Sequence, residues 1–189
     1  MKERPILFSG PMVQAILTGH KIQTRRVVKF PLKLKAHGVA ITSLNDGDSE
    51  EVNEFCPYGR PGDRLWVKET FCVDEDSEGK TAYRADGWIE TPSDDGKWKP
   101  SIFMPRHRSR ITLDIRGVRV ERLQSITEWH AQCEGVRTIN TTELQSDGTL
   151  KPITISARRN FEDLWWRING PMSWSQNPWV WVITFRRLV

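Results

Sequence analysis

The segment Trp179–Phe185 places the strongest constraint on the fold of this chain. Its large apolar residues alternate with two valines and a threonine, so both faces of an extended strand would be apolar. A strand of this kind needs cover on both sides, because either face left in water would expose apolar surface. The pattern therefore predicts a central or barrel-closing strand near the end of the chain.

Two earlier segments also have the alternation that is typical of strands. In Arg64–Val73 the apolar residues share one face, and in Ile111–Val120 they alternate and then change phase by one residue at Arg116-Gly117. Such a change of phase at a glycine is typical of a bulge that bends a strand. Bent strands favour a small barrel, and we predict a mixed α+β fold that is mainly β.

Short helices and polar segments complete the predicted organisation. Pro11 favours a helix that ends at Gly19, and Ser125 or Thr127 can cap a second helix. A third helix is predicted by an apolar stripe at helical spacing, formed by Phe161, Leu164, Trp165 and Ile168. The segments between these elements are polar and rich in turn residues. We predict one domain over residues 1–189, with insertions at about 29–57, 74–100 and 136–157.

The segment from Gly19 to Arg26 brings together reactive side chains. Within eight residues it contains the amine of Lys21, the hydroxyl of Thr24 and the guanidinium groups of Arg25 and Arg26. Two interpretations stay open at this point. The cluster is either a working site or a solvated turn with cations at a helix end.

Charge and cysteine content exclude several classes of protein. The formal net charge is +4, and six Lys or Arg but no acid lie between Lys21 and Lys35, which suits a polyanion without requiring one. Three cysteines without a Cys-x-x-Cys pair argue against a disulfide framework or a zinc site and favour a reducing compartment. We expect no signal peptide, no membrane partner, no metal and no cofactor, and a cytoplasmic location. The sequence contains no indication of oligomeric state.

Four segments in this order resemble the ASCH-domain family, whose members are built on a small PUA-like β-barrel. They are the helix-to-turn segment 15–26, the strand entry Pro61–Val67, the helix Ile126–Gly135 and the closing strand Trp179–Arg187. The longer ASCH proteins that bacteriophages and prophages encode are the most similar members. The resemblance covers the barrel elements and leaves the polar insertions outside.

The residue at position 24 narrows what the resemblance implies. Many ASCH domains have glutamate at this position. The threonine of this chain instead resembles the residue found in the small bacterial amidohydrolases that remove the acetyl group from N4-acetylcytidine. The resemblance implies that Lys21, Thr24 and Glu134 are the catalytic set, with Arg26 as a support or binding group. Arg25, which lies between Thr24 and Arg26, is a further candidate for substrate binding. It also implies that the partner is a nucleoside or a modified cytosine.

Elementary chemistry is consistent with this set but leaves alternatives open. A threonine hydroxyl needs a base to take its proton, and neighbouring arginines would lower the pKa of Lys21 towards that use. Glu134 lies where the negative end of a helix dipole would raise its pKa. Lys21 and Thr24 are three residues apart, however, so they converge only if residues 20 to 23 turn. Each of the three also has an ordinary interpretation as a surface or strand residue.

Two further residues are candidate substrate-binding groups. Glu69 lies on the apolar phase of its strand, and a buried carboxylate needs either a ligand or a salt bridge to a neighbouring strand. Trp66 lies on the opposite face, where it either lines a pocket that stacks a base or covers the barrel. Both alternatives stay open for both residues.

The predicted function is hydrolysis of an acyl group from N4-acetylcytidine-type nucleosides or bases. The alternative is a module that binds RNA or a modified base without chemistry, because the same cations serve both functions. A ribonuclease is a third and weaker alternative, since His20, His107 and His130 are available but no spacing links them.

Overall fold

The structure is a computed structural model, and it describes residues 1–33, 40–44, 51–74, 80–88, 90–91, 97–146 and 148–188. The fold is mixed α+β and mainly β, as predicted. The chain divides into two compact units. Unit 1 comprises Met1–Gly19, Cys56–Val118 and Thr184–Val189, and unit 2 comprises His20–Phe55 and Arg119–Ile183. None of the helices in the described ranges is both long enough and apolar enough to cross a membrane.

Within the described ranges eleven strands and three α-helices are seen. The strands are β1 Glu3–Leu7, β2 Gln23–Val27, β3 Leu32–Lys33, β4 Ala40–Ile41, β5 Arg64–Lys68, β6 Phe71–Asp74, β7 Lys80–Tyr83, β8 Thr112–Arg122, β9 Ile139–Leu144, β10 Leu150–Ile155 and β11 Trp179–Leu188. The helices are α1 Gly10–Leu17, α2 Glu128–Cys133 and α3 Ala157–Asn169. One sheet has the order β1-β5-β8-β11-β2, and the remaining strands form the ribbons β3–β4, β6–β7 and β9–β10.

Unit 1 is built on β5 and the beginning of β8. Strand β1 runs parallel to β5, and β5 pairs antiparallel with β8 so that Leu65 lies opposite Leu113. Leu65, Leu113 and Ile115 are buried, as the predicted alternation requires. The segment Arg64–Val73, predicted as one strand, is divided between β5 and β6, which belong to different sheets. After Ile115 the next buried residue of β8 is Val120, so the predicted change of phase is also present.

Unit 2 has its own apolar core around α3. Its buried residues are Leu123, Ile126, Ala131, Ala157, Phe161, Trp165, Val180 and Val182. Strand β11 is buried on both faces from Val180 to Ile183, as its sequence predicts. The predicted stripe on α3 is correct for Phe161 and Trp165 but wrong for Ile168, which is 59% exposed because the core ends before the last turn.

The predicted insertions contain more structure than expected. Residues 136–157 were predicted as polar loop around a turn, yet they contain the hairpin β9–β10. Almost all of its residues are exposed, so its faces lack the apolar alternation that would have indicated strands. The β3–β4 ribbon likewise lies within the insertion predicted at about 29–57.

A single carboxylate caps the N-terminus of α3. Glu128 accepts hydrogen bonds from the backbone N–H groups of Ala157 at 2.6 Å and Arg158 at 2.9 Å, and from the Thr138 hydroxyl at 3.1 Å. These bonds, led by the one from Arg158, lower the pKa of Glu128. The first N–H groups of a helix lack partners within the helix, so Glu128 satisfies two of them.

We predict that Glu128→Gln lowers the free energy of unfolding by about 1 kcal/mol at neutral pH, because the side chain is partly exposed and the charged bonds are screened. The pKa of Glu128 is depressed on folding, so its contribution is present above the unfolded value of about 4.3 and is lost as the pH falls through the folded value. Urea unfolding between neutral and acidic pH measures this. A variant that loses as much stability at acidic as at neutral pH would contradict the assignment.

Candidate active site

Lys21 and Glu134 form a buried ion pair within unit 2. The Lys21 Nζ atom lies 2.8 Å from Glu134 Oε2 and 2.8 Å from the backbone oxygen of Glu134. The two residues are 1% and 3% exposed. A charged amine in such surroundings is stable only with a partner, so the pair explains why Lys21 can be buried.

The backbone fixes this contact. Residue Lys21 forms an isolated antiparallel bridge with Glu134, and the Ile22 N–H donates to the Cys133 oxygen at 2.9 Å. Helix α2 is capped by the Thr127 hydroxyl and ends at Cys133, so Glu134 is the first residue after the helix. Gly135 then takes a φ of 89°, which suits glycine and turns the chain away. The end of α2 is thus joined to the segment that enters β2.

Arg25 extends the pair into a cluster. Its Nη1 donates to Glu134 Oε1 at 2.9 Å, while its Nε and Nη2 donate to Oε1 of Glu121 in β8 at 3.2 and 2.5 Å. The Arg25 side chain has no exposed surface, and its guanidinium lies 5.9 Å from the Phe161 ring centroid. We name Lys21, Arg25, Glu121 and Glu134 the charge cluster. It contains two cations and two carboxylates.

Burial and charge act in opposite directions on Lys21. Removal from water lowers the pKa of Lys21, the Glu134 carboxylate raises it, and the net direction is downward. Arg26 and Arg25 lower it further. The direction agrees with the prediction from the sequence, although burial rather than the neighbouring arginines is the main cause. A buried amine with a lowered pKa is a suitable proton acceptor.

Thr24 and Arg26 are placed differently from Lys21. Thr24 is 3% exposed and lies in β2 beside Arg25, whose side chain points to the other face of a strand. The contacts between described residues include no hydrogen bond of the Thr24 hydroxyl to the charge cluster. Arg26 is half-buried and shares a face of β2 with Thr24, opposite to the face of Arg25. The structure therefore brings together Lys21, Glu134 and Arg25. Thr24 is buried in β2 beside Arg25 in sequence.

Glu69 belongs to a second buried ion pair, in unit 1. Arg110 holds both of its carboxylate oxygens, with Nε at 2.9 Å and Nη2 at 3.0 Å, and also binds Asp86. The Arg110 guanidinium lies 3.9 Å from the Tyr83 ring centroid. Burial raises the pKa of Glu69, the two-pronged contact with Arg110 opposes this, and the net direction is upward. Of the two alternatives for Glu69, the structure supports the salt bridge.

We predict that Glu69→Gln lowers the free energy of unfolding by about 1–3 kcal/mol, because a buried arginine contact is lost. Asp86→Asn is the matched control, since Asp86 binds the same Arg110 but is 37% exposed at its side chain. It should cost less than about 1 kcal/mol. Urea unfolding compares the two. Unchanged stability together with weakened binding of a cytosine nucleoside would instead make Glu69 a substrate-binding residue.

Trp66 is half-buried in unit 1 and has cations beside its ring. The Lys68 Nζ lies 5.5 Å and the Arg106 Cζ 5.9 Å from the ring centroid. These cations compete with a stacked base for the ring. Unit 1 also contains Glu69, whereas Lys21, Thr24 and Glu134 belong to unit 2.

Sequence reasoning did not find Glu121 or Arg119, and it considered His130 only as an acid–base group for a ribonuclease. Arg119 Nε donates to Glu121 Oε2 at 3.0 Å, and the His130 ring lies 3.5 Å from Arg119 Nη2. Burial and the Arg119 charge lower the pKa of His130. The spacing Arg119-x-Glu121 does place both charges on one face of a strand. Nothing in the sequence, however, links that face to Arg25.

Searches for a metal site and for known relatives add no assignment. In the part of the chain that the structure describes, no group of three or more His, Cys, Asp or Glu could hold a metal ion. Protein-family models, curated proteins and solved structures give no match to this chain. The case for a function therefore depends on the geometry of the charge cluster and on the resemblance of the motifs.

Proposed function

We propose that this chain is an amidohydrolase that removes an acyl group from N4-acetylcytidine-type nucleosides or bases. The observation that carries the proposal is the buried contact between Lys21 and Glu134. The ASCH resemblance names these two residues, 113 positions apart, as members of one catalytic set. A buried amine and a buried carboxylate in direct contact are the groups that acid–base chemistry at an amide requires.

In the proposed reaction the Thr24 oxygen attacks the acyl carbonyl, and Lys21 in its neutral form accepts the hydroxyl proton. Cations adjoining the site stabilise the negative charge that develops on the carbonyl oxygen. The bond from the acyl carbon to N4 then breaks, and Lys21 returns the proton to N4. Water hydrolyses the acyl-threonine and releases the acid, so no metal or cofactor takes part.

This mechanism requires the Thr24 hydroxyl to come within hydrogen-bond distance of Lys21. Catalytic hydrogen bonds are often long or poorly aligned before substrate binds, so the arrangement without substrate does not exclude the step. Burial of Lys21 supports its role, because it favours the neutral amine that accepts the proton. The role of Arg26 in this proposal is to contact the substrate.

The proposal also concerns the fold family and the cellular location of the protein. We assign the chain to the PUA-like ASCH family on the four motif segments alone. A cytoplasmic location is supported by three buried cysteines that are all free.

Incubation of the purified protein with N4-acetylcytidine tests the proposal. Chromatography should show cytidine and acetate in equal amounts, with longer acyl groups and the free base compared in the same assay. Absence of product across all of these acyl cytosines in a sensitive assay would exclude the proposed activity.

Binding of RNA or a modified base without chemistry is the second candidate. It is favoured by exposed groups in unit 2 next to the charge cluster in sequence: Arg137 lies 2.9 Å from the His20 ring, and Trp129 is 59% exposed. An RNA-binding module should lose affinity as salt rises, and removal of Arg137 should reduce the log–log slope by about one unit if it contacts a phosphate. The ribonuclease alternative gains no support, because His20 and His130 each lie against an arginine of their own.

A further inference from the structure

The charge cluster contains one acid that no motif marks. Glu121 lies in β8, and its side chain is 17% exposed. Its Oε1 accepts from both Nε and Nη2 of Arg25, and its Oε2 accepts from Arg119 at 3.0 Å. Both oxygens of Glu121 are thus held by arginines, and the contact that links Glu121 to the rest of the charge cluster is the one with Arg25.

The geometry of Arg25 shows what that action is. A guanidinium has five N–H donors in a fixed plane, so fixing one edge fixes the direction of the other. Glu121 binds the edge made by Nε and Nη2, and Nη1 is then directed at Glu134 Oε1. Glu134 Oε2 stays with Lys21 at 2.8 Å. Each oxygen of Glu134 thus has one cation.

We propose that Glu121 is a positioning residue of the candidate site, which orients Arg25 so that one oxygen of Glu134 remains with Lys21. Without Glu121, Arg25 would keep its charge but lose the partner of one edge. Its guanidinium would turn towards Glu134, the other carboxylate buried beside it. Arg25 would then bind Glu134 more strongly, and the contact between Glu134 and Lys21 would weaken. The catalytic consequence of this arrangement rests on the proposed function.

The charged groups around Lys21 determine whether loss of Glu121 raises or lowers the pKa of Lys21. Glu134 at the end of α2 stabilises the ammonium form, and Arg25 and Arg26 of β2 oppose it. Arg119 of β8 contacts Glu121, and His130 of α2 contacts Arg119 rather than Lys21. A weaker hold of Glu134 on Lys21 favours the neutral amine. Glu121→Gln should therefore lower the pKa of Lys21.

Lysine side-chain NMR of the resting protein measures this without substrate, and the signal lost in Lys21→Met identifies the residue. Glu121→Gln should shift the Lys21 titration to lower pH. Arg119→Gln removes the partner of the other Glu121 oxygen and leaves the Arg25 contact, so its shift should be much smaller. Equal shifts in the two variants, or no shift in Glu121→Gln, would overturn the proposal.

Kinetics give the second readout. In acyl-cytidine hydrolysis, Glu121→Gln should move the acidic limb of the kcat/KM profile to lower pH and reduce kcat roughly tenfold, because the pair is misplaced. Asp114→Asn is the matched control, since Asp114 forms the same kind of contact with Arg116 two residues away on the same strand. It should leave both quantities unchanged, and an equal effect in this control would contradict the positioning role.

A second substitution of Glu121 covers the case in which Glu121→Gln does not fold. Glu121→Asp keeps the negative charge, but its shorter side chain moves the carboxylate away from Arg25. It should shift the Lys21 titration in the same direction by a smaller amount. An unshifted Lys21 in folded Glu121→Asp would then decide against the proposal. If the wild type hydrolyses no acyl cytosine and the NMR shift is still present, the positioning role stands and the proposed function falls.

Discussion

Glu134→Gln is expected to lower the free energy of unfolding by about 3–5 kcal/mol, because it leaves the buried cations of Lys21 and Arg25 without their shared carboxylate. Lys21 and Arg25 have 0% exposed side chains, so water cannot take the place of the lost partner. Single domains are stable by roughly 5–15 kcal/mol, and this loss is a large part of that. The midpoint of urea unfolding measures it.

The pH dependence of this variant has a definite sign. Loss of Glu134 removes the group that raises the pKa of Lys21, so the folded pKa falls further below the unfolded value of about 10.4. The folded state then binds fewer protons than the unfolded state between the two values, and stability increases with pH through that window. The deficit against the wild type should therefore shrink in alkaline solution.

Glu162→Gln is the control for Glu134→Gln. Glu162 pairs with Arg159 one helical turn away, with side chains 26% and 61% exposed. Its loss should cost less than about 1 kcal/mol. If Glu134→Gln costs no more than this control, the ion pair is screened by solvent and the electrostatic argument for the site fails.

Thr24→Ala is expected to reduce the hydrolysis of N4-acetylcytidine by at least about 10²–10⁴-fold, the range that a positioned acid–base group contributes. The proposed acyl transfer begins at the threonine oxygen, and alanine leaves no atom to attack. The loss should appear in kcat, with KM little changed, because the hydroxyl acts on the transition state. Steady-state kinetics on folded protein measures both constants.

Thr24→Ser separates chemistry from packing. It removes the same methyl group as the alanine variant but retains the hydroxyl, so any cavity effect is shared. Serine should restore most of the turnover. Equal losses in the two variants would mean that Thr24 is a packing residue of β2, and the attacking group would have to be sought elsewhere.

The elements that could be predicted from sequence are those with apolar periodicity. Strand β11 and the buried positions of α3 follow from the spacing of their large apolar residues, because burial forces that spacing. The hairpin β9–β10 could not be predicted in this way. Its Ile139, Leu144 and Leu150 are 48–68% exposed, so no core selects one face.

In the candidate site, too, some contacts could be predicted from the sequence and others could not. Lys21 and Glu134 could be paired from the resemblance, and the turn before β2 that brings them together is specified by Gly19, with a φ of 77°. The contact of Arg25 with Glu121 could not be predicted, because an ion pair 96 residues apart depends on the sheet that aligns β2 and β8. Arg25 was expected to bind substrate, and its guanidinium instead holds two carboxylates.

The most direct test of the central claim is the acetate released from N4-acetylcytidine per folded molecule of wild type and Lys21→Met. The methionine fills similar volume without an amine, and Arg25 remains to balance Glu134, so the fold should persist. The account predicts equimolar acetate and cytidine from the wild type and almost none from folded Lys21→Met. Equal release by the two proteins would contradict it, because the buried amine would then have no part in the reaction.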